Sequence, residues 1–153
     1  MIDPPLIITA LGFDMPDAPS FPRSQPGDLW LFLPIGYLFT VAIETPVLLI
    51  GLSRKFTFKQ RFFAGLWLTA CTYPIVILVF PIIFATSSRG VYLFVSEIFA
   101  PVAECALFWL AFRKKVETSR GTLLRNFAVI IVANLLSFIG GELLAINGWF
   151  GLF

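Results

Sequence analysis

The sequence predicts an all-α polytopic membrane protein, with four transmembrane helices in an antiparallel bundle. Three observations carry that expectation. The 153-residue chain is 58% hydrophobic and only 13% charged. An ordinary soluble domain is ~25% charged and ~45–50% apolar, so this chain lacks the polar side chain to coat a water-soluble globule. The apolar residues fall into four stretches, at about 30–52, 62–86, 91–112 and 124–147, each near the ~20 residues a helix needs to cross hydrocarbon. The basic residues gather in two of the connections. Helix is the open-ended element that satisfies its own backbone in lipid, which fixes the element type.

Residues 1–29 form a separate extension. It holds six prolines (Pro4, Pro5, Pro16, Pro19, Pro22 and Pro26), four aspartates (Asp3, Asp14, Asp17 and Asp28) and one basic residue, Arg23. Such proline density disfavours helix. The extension lacks the basic start and apolar core of a secretory signal. Its run Leu6–Phe13 is too short to span, and reads as an interfacial segment. Residues 30–153 then form the transmembrane domain.

Orientation follows from the connections. Arg54, Lys55, Lys59 and Arg61 lie between the first two helices, and Arg113, Lys114, Lys115, Arg120 and Arg125 between the last two. Nine of the eleven basic residues thus share one side, which the positive-inside rule places in the cytoplasm. Both termini are expected outside a bacterial inner (cytoplasmic) membrane. Trp30, Tyr92 and Trp149 would mark the outer interface and Trp109 the inner one. The short connection Thr86-Ser87-Ser88-Arg89-Gly90 makes the second and third helices neighbours.

Four glutamates sit inside the apolar stretches: Glu44, Glu97, Glu104 and Glu142. A carboxylate at the centre of a membrane helix costs at least about 2.5–3.5 kcal/mol. At ~1.5 Å per residue, Glu44 and Glu104 each lie about 12 Å from the cytoplasmic ends of their helices, and Cys71, Thr72 and Asn134 about 14–15 Å from theirs. All four helices therefore offer a polar side chain to one layer, with Ser137 a turn above it. Glu97 and Glu142 lie nearer the outside with Tyr37 in reach. Glu97 and Glu104, seven residues apart, share a helix face.

The prolines add bare carbonyls. Each helical proline lacks an N–H and frees the carbonyl four residues earlier: that of Ala42 by Pro46, of Ala70 by Pro74 and of Glu97 by Pro101. Gly140-Gly141 beside Glu142 permits a close helix approach. The bland reading treats these prolines as packing kinks and the glutamates as interhelical glue. Interhelical polar contacts average only about 0.6 kcal/mol, a poor return on an acid in hydrocarbon. The candidate ion or proton site is therefore Glu44, Glu104, Thr72 and Asn134, with Glu97 and Glu142 as an outer relay.

Other chemistries find no residues. The chain has no histidine, which excludes histidine haem ligation, histidine zinc sites and a Ser–His–Asp triad. No phosphate loop or dinucleotide fingerprint occurs. A thiolate–carboxylate metal site from Cys71, Cys105, Glu44 and Glu104 mixes soft and hard ligands, and Cys105 is aimed about 100° from Glu104. The expectation is a protein that is not an enzyme, and no cofactor is named.

The pieces Glu44-Thr45-Pro46, Thr72-Tyr73-Pro74, Glu97 with Glu104, and Asn134-Leu135-Leu136-Ser137-Phe138 resemble a broad group of small four-helix bacterial membrane proteins. The resemblance covers about residues 30–147. It implies a recurring four-helix module with intramembrane glutamates, and carries no activity to transfer.

Two functions follow from different classes. In the first, a buried carboxylate site binds or translocates protons or small cations. In the second, the chain is a non-catalytic accessory subunit of a larger membrane complex, its eighteen phenylalanines supplying contacts. The expected partners are the lipid bilayer and either further copies of the chain or other membrane subunits. Nucleic acid is not among them.

Overall fold

In the computed structural model, residues 26–116 and 120–147 are described. The N-terminal extension up to residue 25, and Trp149, lie outside them. The described chain is helical: α1 (Pro26–Gly51), α2 (Phe58–Pro74), a π-helical turn (Ile75–Val79), α3 (Phe80–Ile83), α4 (Arg89–Val116) and α5 (Arg120–Ile146). The segment from α2 to α3 runs as one span, so four helical spans are long and apolar enough to cross a membrane. Length and composition mark a multi-pass membrane protein.

The helices overrun the apolar stretches because helix does not stop where hydrophobicity does. Proline suits the first helical position, where its missing N–H costs nothing, and Pro26 opens α1 there. At the start of α2, Thr57 Oγ1 accepts the Gln60 backbone N–H (3.3 Å) and Gln60 Oε1 accepts that of Thr57 (3.1 Å). This capping box satisfies two otherwise orphaned donors and starts the helix before the apolar run begins.

Burial differs from that of a soluble protein, with polar side chains sharing the interior with apolar ones and the outward faces largely apolar. The buried faces carry Glu44, Thr45, Thr69, Thr72, Ser96, Glu104, Asn126, Asn134 and Ser137. The outward faces carry Leu38, Ile50, Phe63, Ile82, Val102, Leu110 and Leu143. Apolar surface on this scale around a monomer needs an apolar solvent.

Small residues set the closest approaches. A Cβ on Gly65 of α2 would lie 2.5 Å from Thr45 Oγ1 and 2.9 Å from Thr45 Cα on α1, so the two helices meet where only glycine fits. A Cβ on Gly140 would press on Ile43 and Phe39 of α1, whereas Gly141 has nothing within 4 Å. Of the expected glycine pair, one member makes the close approach.

Where the basic loop lies (the basic end), the structure is sealed. The loop after α1 turns inward. Phe56 is 1% exposed and packs edge-on against Phe108 and Phe112 of α4, with centroids 5.3 and 5.2 Å away. Leu48, Leu52, Leu68, Phe108, Ile130 and Ala133 complete an apolar plug around it. Arginines close off carbonyls at the end of α1 and in the loop after it: Arg61 donates to Leu49 O (2.7 Å) of α1 and to Phe56 O (3.0 Å) of the loop, and Arg125 to Gly51 O (3.0 Å) of α1. Guanidinium groups suit that position, where helix carbonyls lack partners and the dipole is negative.

The π turn follows from two prolines. Pro74 and Pro81 each withhold an N–H, and the Phe80 N–H bonds Ile75 O. In that register the next donor, for Val76 O, would be residue 81, which is proline. The bare carbonyl is taken by the Tyr92 hydroxyl of α4 at 3.2 Å. Tyr92 thus turns inward, where the sequence suggested an interfacial belt. Trp30 and Trp109 are exposed.

Candidate functional site

Two carboxyl groups occupy the middle of the described helices, each 2% exposed. Glu44 of α1 meets Thr69 Oγ1 of α2 at 2.6 Å through Oε2, and Ser137 Oγ of α5 at 2.7 Å through Oε1. Glu104 of α4 meets Thr72 Oγ1 of α2 at 2.9 Å through Oε1, and Asn134 Nδ2 of α5 at 2.7 Å through Oε2. Every carboxyl oxygen has one partner, and each carboxyl ties together three spans. The arrangement arises from helical spacing: Thr69 with Thr72, and Asn134 with Ser137, are three residues apart and so share a face.

No basic group contacts this layer among the hydrogen bonds of its carboxyl oxygens. The charge balance must therefore come from protons or a captured cation. The hydroxyls decide how. Thr69 Oγ1 also lies 2.9 Å from Gly65 O, Thr72 Oγ1 3.1 Å from Leu68 O, and Ser137 Oγ 2.9 Å from Asn134 O. A hydroxyl has one proton to donate and lone pairs to accept. Turned to the carboxylate, each donates to it. Turned to its own helix carbonyl, it is left as an acceptor for a carboxyl proton. The layer can thus hold either protonation state with every carboxyl oxygen and hydroxyl partnered and no heavy atom moved.

A cavity of about 280 Å³ leads to this layer. Its lining runs from Glu44, Glu104, Thr69, Thr72, Asn134 and Ser137 past Ser96 and Glu97 to Arg89 and Glu142 at the end opposite the basic loop. Arg89 is exposed at that end. At the other end, the Phe56 plug lies beyond the carboxyls. Access is therefore from one side.

Most expected site residues converge. Glu44, Glu104, Thr72 and Asn134 form the layer, and Glu97 lines the cavity on the same face of α4 as Glu104. Glu142 also lines it, but is held by Arg89, whose Nη2 lies 2.8 Å from Oε1 and 2.7 Å from Oε2. By chain position Glu97 and Glu142 fall at a similar level in an outer layer, and the arginine that pairs with Glu142 is an addition to that layer. Tyr37 belongs elsewhere: its hydroxyl donates to Leu66 O at 3.0 Å. Cys105 points its thiol at Phe127 O (3.9 Å) on α5. Among the described residues no three histidine, cysteine, aspartate or glutamate side chains gather as a metal site.

Thr69 was missed. Its signal lay in the sequence, since it precedes Thr72 by about one helical turn and so shares its face. Arg89 left a weaker signal. The sequence places it in a connection, whereas it is the first residue of α4, and the packing of α4 beside α5 brings it to Glu142.

The chain matches no protein-family model, no curated protein and no solved structure.

Proposed function

We propose that the chain is an intramembrane proton-binding protein whose site is the Glu44–Glu104 layer, loaded through the cavity. In this reading the four spans insert as an antiparallel bundle in a bacterial cytoplasmic membrane. The nine basic residues of the two connections face the cytoplasm, and both termini and the cavity mouth face outward. A proton arriving on Glu44 Oε2 is donated to Thr69 Oγ1, whose own proton turns to Gly65 O. Glu104 Oε1 and Thr72 act alike, with Leu68 O receiving the hydroxyl proton. The supporting observation is the second acceptor beside every hydroxyl in the layer.

A proton suits the layer better than a metal ion. Hard cations take six or more oxygen ligands, and here each carboxyl oxygen is already engaged. The Phe56 plug makes this a one-sided site in the observed conformation, so translocation to the cytoplasm requires that plug to move.

Infrared difference spectroscopy on the purified protein in lipid tests the reading. Stepping the external pH should raise and lower a carboxylic C=O band that shifts in D₂O. Glu44→Gln and Glu104→Gln should each remove part of it. A spectrum unchanged by pH, or a band that survives both substitutions, overturns the proposal.

A further inference from the structure

Among the four carboxyls lining the cavity, Glu97 stands apart. Glu44 and Glu104 are fully hydrogen-bonded, and Glu142 is paired with Arg89. Glu97 is half-buried in the cavity wall, and among the described residues it forms no hydrogen bond or ion pair. Next to it, Ser96 is 4% exposed and its enclosed hydroxyl, beside Tyr92, has no partner in hydrogen-bonding geometry. An acidic side chain and a hydroxyl in a cavity wall, neither with a hydrogen-bond partner, call for an explanation.

The rest of the cavity defines that ligand. Phe32, Phe39, Tyr73, Tyr92 and Phe138 contribute to the walls. Aromatic walls suit an apolar body and attract an organic cation to their faces. Even with Glu44 and Glu104 set aside, the lining holds two acidic side chains, Glu97 and Glu142, against one basic side chain, Arg89. The ligand is therefore cationic. A volume of about 280 Å³ falls at the small end of ligand pockets, which limits the occupant to a ring or short chain with one charged group.

We propose that this cavity binds a small organic monocation, an ammonium group on an apolar body, with Glu97 as counter-charge and Ser96 as hydrogen-bond acceptor. The site shares its cavity with the proton layer but draws its charge from Glu97, so it stands whether or not Glu44 and Glu104 exchange protons.

Isothermal titration of the purified chain in detergent with 2-phenylethylammonium tests it. Saturable binding is expected, with the neutral 2-phenylethanol and the anion phenylacetate weaker by roughly tenfold or more. Glu97→Gln should weaken the ammonium probe by a similar roughly tenfold factor, and Glu97→Asp should restore part of the loss. The charge preference of the wild type needs no variant, so a misfolded Glu97→Gln protein does not decide the matter. Equal binding of the alcohol, no saturable binding of the ammonium, or undiminished binding by a folded Glu97→Gln protein would each overturn the proposal.

Discussion

Thr69 and Thr72 show how much a single hydroxyl decides. Each holds one carboxyl oxygen and one carbonyl of its own helix. Thr69→Val keeps the shape and removes the hydroxyl, leaving Glu44 Oε2 enclosed without its partner. Losing the partner of a buried polar group costs about 1–3 kcal/mol, and in membranes the lower end applies. Reversible unfolding in mixed micelles should show about 1 kcal/mol lost, and Thr69→Ser, which restores the hydroxyl, should recover most of it. The Glu44, Glu104, Thr72 and Asn134 level was legible from chain position alone, because depth in a helix is linear in residue number. Their pairing was not. Which hydroxyl meets which carboxyl depends on helix rotation, and a linear depth argument leaves that angle open.

The elements were legible in kind and number, since length and hydropathy dictate both. Their ends were not, because capping groups such as Thr57 and Gln60 extend helix into polar sequence. The glycines give a sharp comparison. Gly65→Ala forces a Cβ against the backbone of Thr45 and should separate α1 from α2, at a cost of about 1–3 kcal/mol. Gly141→Ala meets open space and should leave stability unchanged in the same assay. The π turn yields a coupled outcome. Tyr92→Phe strips the donor from Val76 O and should destabilise the chain. Pro81→Ala returns a backbone N–H to that turn, so the tyrosine should matter less in its background. A double-mutant cycle that gives additive effects would count against this account of the turn.

The whole molecule is polar at its centre, apolar at its rim, and closed on one side. Composition foretold the first two. The third was hidden, because a loop reading Ser53-Arg54-Lys55-Phe56-Thr57 gives no hint that its phenylalanine folds inward. Phe56→Ala removes the keystone of the plug. Large-to-small changes at buried aromatics cost about 3–5 kcal/mol, and this one also opens the basic end toward Glu44 and Glu104. Liposomes carrying the variant should leak protons faster than those carrying the wild type when a pH gradient is imposed. Adding Glu104→Gln should slow the leak again.

Arg61 and Arg125 join two jobs that are usually separate. They belong to the basic residues that the proposed orientation places in the cytoplasm, and they also clasp the last carbonyls of α1. Moving those charges to invert the chain would unfasten α1 at the same stroke. A copy threaded the wrong way round would have to form without its clasps, which disfavours a mixed population of upright and inverted molecules. Sided labelling of cysteines placed at Arg54 and Ser88 should accordingly find each position on one face alone.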